Sequence, residues 1–116
     1  MREGREIKLY LRDICDSIDM IQSFIKGVSR EEFIKLHEKQ NAVIRKIEII
    51  GEAVKQLPIE FRDQYPHIPW KEIAGMRDKL IHGYFGVDLD VVWDAVKKNL
   101  PKLKKEVEKL FDEIKP

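Results

Sequence analysis

Three side chains capable of chemistry lie close together. Arg77, His82 and Tyr84 fall within the stretch Met76–Asp88, Met-Arg-Asp-Lys-Leu-Ile-His-Gly-Tyr-Phe-Gly-Val-Asp. Arginine presents a planar fork of donors matched to phosphoryl oxygens. Histidine titrates near neutrality and can move a proton during phosphodiester cleavage. The chemistry this pairing could support is metal-independent cleavage of RNA. A ribose 2′-OH, deprotonated with help from His82, would attack the adjacent phosphorus while Arg77 stabilises the developing charge, leaving a 2′,3′-cyclic phosphate. The same residue types also serve as helix-end caps and surface pairs, and Tyr84 could be core, so spacing alone leaves the structural reading open.

Helical geometry limits how these groups can meet. Arg77 and Tyr84, seven residues apart, share a face and are separated by about 10 Å along a regular helix. Asp78 and His82, four apart, can touch, so Asp78 could hold the imidazole in one tautomer. Arg77 and His82 would diverge by roughly 140°. They converge only if the helix unwinds near Gly83 or if a second copy of the chain completes the site. His37 and His67 have no ligand partners at convincing spacing, so neither a metal site nor a cofactor is expected.

Bulk properties bound the alternatives. The chain has 116 residues, 43% hydrophobic and 37% charged, with a net charge of +1. That length predicts one domain over residues 1–116 with a single core. The near-neutral balance means that any nucleic-acid site must be local. Cys15 is the lone cysteine, which excludes an intrachain disulfide. The charged N-terminus, with no apolar run after it, predicts neither signal peptide nor membrane span, and hence a cytoplasmic protein.

The elements that must position the site read as helices. Ile7, Leu11, Ile14, Ile18, Ile21, Ile25 and Val28 alternate four-three spacing along one face, opposite Asp13, Asp16 and Asp19, and Gly27 ends the pattern. Ser29-Arg30-Glu31-Glu32 is a capping box, from which a single helix of nearly thirty residues is predicted to run to Pro58. Its apolar band is wide enough to be contacted on two sides. Gly51 within it costs ~1 kcal/mol relative to Ala, which implies that another backbone passes close by. The proline-rich stretch from Pro58 to Pro69 predicts a connector with one helical turn. A third helix follows Pro69 and should fail near Gly83. Asp88 caps a fourth, bent at Pro101 and in apolar phase to Ile114. The fold class is all-α: a bundle of four main helices plus a short connecting helix.

Arg45, Glu48 and Glu52 lie at three-to-four spacing on the long helix. They read either as an intrahelical ion-pair series or as supports bracing Arg77 from across the bundle. The lysines between Lys97 and Lys109 read as a solvated face before an RNA contact. Trp70 and Trp93 read as packing anchors before base-stacking platforms.

The pattern Arg77-x4-His82-x-Tyr84 resembles the signature of HepT-type toxins in the HEPN superfamily. The flanking Tyr65-Pro-His-Ile-Pro-Trp-Lys-Glu-Ile-Ala-Gly-Met-Arg77 and His82-Gly-Tyr-Phe-Gly-Val-Asp-Leu-Asp-Val-Val-Trp93 are similar to it too. So is Asn41-Ala-Val-Ile-Arg-Lys-Ile-Glu-Ile-Ile-Gly-Glu-Ala53. The resemblance covers roughly residues 7 to 112. It implies a HEPN-like up-and-down bundle, a homodimer with two motifs facing one another across a cleft, and RNA cleavage with Arg77 and His82 as the catalytic pair. It also implies a type VII toxin–antitoxin system, in which an MntA-like nucleotidyltransferase antitoxin neutralises the toxin by AMPylation of Tyr84. The added charge and bulk would block the place of an RNA phosphate. The alternative is a non-catalytic HEPN helical dimer that binds nucleotide or such a nucleotidyltransferase partner.

Overall fold

The four-three apolar spacing at the N-terminus builds α1 (Arg2–Ile25), whose Leu11, Ile14, Ile18 and Ile21 are fully buried. This is a computed structural model that describes residues 2–80, 86 and 88–114, with the backbone alone for residues 2 and 3. Gly27 closes the helix at φ +74°, the left-handed region that glycine enters without a Cβ penalty.

The capping box at Ser29 forms as its sequence requires. The Glu32 N–H donates to Ser29 Oγ at 3.1 Å, and the Ser29 N–H donates to Glu32 Oε1 at 3.0 Å. The helix it starts is short, however. In place of one run of nearly thirty residues, α2 (Arg30–Lys35) ends at Leu36 (φ −99°, ψ 83°) and α3 (His37–Gln56) begins after it. The reason is a buried side chain. Gln40 Nε2 donates to the carbonyls of Phe33 and Ile34 at 2.8 and 2.9 Å, taking acceptors that a continuous helix would offer to residues 37 and 38. Replacing Gln40 with Leu removes the donor to both carbonyls, leaving that of Phe33 only the Leu36 N–H at 3.2 Å, and should cost about 1–3 kcal/mol. Urea unfolding checks this: a midpoint equal to wild type would mean that the amide does not hold the break.

The connector carries the single helical turn that its prolines predict, α4 (Ile59–Asp63). Phe61 packs at a tilt against Tyr65 and Trp70, with ring centroids 5.1 and 6.4 Å apart. Trp70 is buried, and its Nε1 donates to the Tyr65 carbonyl at 3.2 Å. The third helix is interrupted: α5 (Trp70–Ala74) and α6 (Met76–Leu80) meet at Gly75. The expected failure near Gly83 lies outside the described residues.

Asp88 caps α7 (Leu89–Asp94), its Oδ1 accepting from the Val91 N–H at 3.2 Å. The bend expected at Pro101 is accommodated one turn earlier. Residues Ala95–Asn99 form a π-helical turn leading into α8 (Leu100–Glu113), with the Leu100 N–H donating to the Ala95 carbonyl. The widened turn relieves the crowding between the proline ring and the preceding carbonyls while the apolar phase continues.

The architecture is the all-α bundle that the helical spacing predicts. α1 packs against α3 and α8, while α3 is covered on its other side by α5 and α6. No strand occurs among the described residues, and none of the described helices is long and apolar enough to cross a membrane. One core cluster runs through the bundle.

Candidate active site

Arg77 is the second residue of α6 and points across to α3. Its Nε donates to Glu48 Oε2 at 2.8 Å. The Arg77 side chain is 51% exposed and that of Glu48 30%. The bond uses Nε, so neither terminal amino group has a hydrogen-bond partner among the described residues. Nη1 has only Asp78 Oδ1, at 3.8 Å. A guanidinium held at its base, with no hydrogen bond on its fork among the described residues, is suited to receive phosphoryl oxygens.

The other expected supports are placed differently. Glu52 turns to solvent and pairs with Lys55 at 3.8 Å. Arg45 is exposed and makes no hydrogen bond or ion pair among the described residues. The structure therefore brings Glu48, and neither Arg45 nor Glu52, to Arg77. Spacing could not separate the three, because they recur along one side of α3. The choice is made by where α5 and α6 cross that helix. Asp78 is 85% exposed, and its expected partner His82 lies outside the described residues, as does Tyr84. Two residues that flank this stretch are joined: the Asp88 N–H donates to the Leu80 carbonyl at 2.8 Å.

Beyond this site, chemistry is sparse. Trp93 is buried against Phe33, its ring 5.3 Å from that of Phe33, with Lys97 Nζ 5.1 Å from its own centroid. Lys104 pairs with Asp19, and Lys109 lies near Glu106, which fits a solvated lysine face. Cys15 is buried among carboxylates. Desolvation, then Glu108 and Asp19, push its thiol up to about 11, so it stays protonated and is a poor nucleophile. His67 Nε2 lies 3.2 Å from Glu106 Oε2. Among the described residues no group of three or more His, Cys, Asp or Glu could hold a metal. A groove of about 890 Å³ opens beside α6, floored by Ile68, Ile73, Met76, Leu80 and Leu103, but neither Arg77 nor Glu48 lines it.

A family model described as "Ribonuclease HepT-like" matches residues 14–110. The chain belongs to the HepT-like family. The resemblance read from the motif and its flanks is thereby borne out, and with it the placement in the HEPN superfamily. This HepT-like chain is 50% identical over 106 residues to a Thermococcus cleftensis protein named "Probable ribonuclease HepT", covering 91% of itself and 96% of that protein. It is 52% identical over 110 residues to a Methanocaldococcus jannaschii protein provisionally named an RNase, covering 95% of itself and 91% of the relative. A further protein of that archaeon, named both a gamma-glutamylcyclotransferase and, provisionally, an RNase, is 52% identical over 110 residues. The HepT-like chain spans half the length of that relative. No solved structure matches the chain significantly.

Proposed function

We propose that this HepT-like protein is a metal-independent endoribonuclease, the toxin of a type VII toxin–antitoxin system, with Arg77 and His82 as its catalytic pair. The observation that carries the reading is the Arg77 guanidinium, anchored through Nε by Glu48 with neither terminal amino group hydrogen-bonded among the described residues, in a member of a ribonuclease HepT-like family. His82 follows five residues later in the sequence, between Leu80 and Asp88, which hydrogen-bond to one another.

In the proposed step His82 takes the proton of the ribose 2′-OH as that oxygen bonds to the adjacent phosphorus. The bond to the 5′-oxygen breaks, the leaving oxygen takes up a proton, and a 2′,3′-cyclic phosphate remains. Arg77 places its donors on the non-bridging oxygens as their charge grows. The proposed active unit is a homodimer, because the regular-helix divergence between residues 77 and 82 is relieved when a second subunit completes the pocket. The proposed partner is an MntA-like nucleotidyltransferase antitoxin that modifies Tyr84 with AMP. A phosphate attached there would compete with the substrate for Arg77.

The test is RNA cleavage in EDTA with analysis of the ends. The expected products carry 2′,3′-cyclic phosphate and 5′-hydroxyl termini. Cleavage that requires a divalent cation, or 5′-phosphate products, would overturn the mechanism.

A further inference from the structure

We infer that Glu48 and Gly51 act together as a positioning device for Arg77, Glu48 by holding its Nε and Gly51 by letting the α5 backbone close onto α3. The inference rests on the nuclease reading above and extends it to residues that do not touch substrate. Glu48 and Gly51 are three apart on α3 and share a face. A Cβ on Gly51 would lie 3.2 Å from the Ala74 carbonyl oxygen and 3.8 Å from that of Ile73. Even the single carbon of Ala there would require the Ala74 carbonyl at the end of α5 to give by a few tenths of an ångström.

That displacement has a route to Arg77. Ala74 is the last residue of α5, and the junction after it is stiffened on both sides of Gly75. The Gly75 N–H donates to the Lys71 carbonyl at 3.0 Å, while the Gly75 carbonyl accepts from Asp78 at 3.1 Å and Lys79 at 3.4 Å. α6 is therefore tied to the end of α5, and Arg77 moves with it. The bond from Arg77 Nε to Glu48 spans the same interface at 2.8 Å. A shift of a few tenths of an ångström would lengthen that bond and misdirect the guanidinium fork. Glycine in mid-helix is otherwise unfavourable, and the close approach of Ala74 supplies a reason for its presence.

The experiment measures RNA cleavage, thermal unfolding and solvent exchange of the Arg77 Nε–H proton by NMR in four proteins: wild type, Glu48→Gln, Glu48→Ala and Gly51→Ala. Loss of aim removes stabilisation realised in the transition state, so kcat and kcat/KM should fall together. The expected loss is about 10–100-fold for Glu48→Ala and about tenfold for Gly51→Ala, with faster Nε–H exchange in both. Glu48→Gln keeps an acceptor oxygen and should recover most of the loss. Ala is the better helix former, so the unfolding midpoint of Gly51→Ala should change little while its activity falls. Wild-type kcat with a protected Nε–H in Gly51→Ala overturns the role of Gly51, and the same result in Glu48→Ala overturns that of Glu48. If the wild type itself cuts no RNA, the nuclease reading falls, and the exchange rates still decide whether these two residues hold the guanidinium.

Discussion

Replacing His82 with Ala is expected to lower the rate of RNA cleavage by about 10²–10⁴-fold, the usual contribution of a positioned acid–base group. Replacing Arg77 with Ala should cost about 10²–10³-fold, the loss seen when one preorganised donor to a developing oxyanion is removed. Neither change should unfold the bundle. The Arg77–Glu48 pair is half exposed, and such pairs contribute only about 0.2–1 kcal/mol. Arg77→Lys should stay close to Ala in activity, because lysine lacks both the Nε that Glu48 holds and the paired terminal donors. Mixing Arg77→Ala protomers with His82→Ala protomers tests the second subunit. If each site takes its guanidinium from one subunit and its imidazole from the other, one of the two sites in the mixed dimer is intact and cleavage returns. If both groups come from one subunit, no mixture recovers. Single variants that cut RNA at the wild-type rate would remove both residues from the mechanism.

The sequence made the start signals of the helices legible, because each is a local hydrogen-bonding problem with few solutions. Ser29 with Glu32, and Asp88 before Leu89, form the caps their residue types require. Gly51 in an apolar helix announced a passing backbone, and that backbone is the end of α5. The interruptions were less legible. Apolar periodicity continues across Leu36, and the break there depends on the Gln40 amide folding back onto two carbonyls, a choice that tertiary burial makes and spacing does not record. Pro101 foretold a bend, but not that a π-helical turn upstream would absorb it. For the site, residue type singled out Arg77, and spacing offered three candidate supports on α3. Only the crossing of α5 and α6 over that helix selects Glu48.

Replacing Phe33 with Ala should be the most damaging single change to the fold, at about 3–5 kcal/mol. Phe33 is the only buried residue of α2. It is fully enclosed, and its ring lies 5.3 Å from that of Trp93 at a tilt of 41°, an arrangement worth about 0.5–1.5 kcal/mol beyond the area it buries. A further link between α2 and α7 is the exposed pair of Arg30 Nε and Asp90 Oδ1 at 3.1 Å, too solvated to compensate. Domains of this size are stable by about 5–15 kcal/mol, so the loss would consume a large share of that margin. Urea unfolding should show a lower midpoint with an unchanged slope, and Phe33→Leu should recover part of the difference. Both variants lose the ring pair with Trp93 of α7, the helix that Asp88 caps. The Arg77–Glu48 bond lies on the other helix pair, so the specific activity of the remaining folded protein separates two effects. If it holds while stability falls, α2 maintains the bundle; if it falls first, the α2–α7 contact also shapes the segment that carries His82.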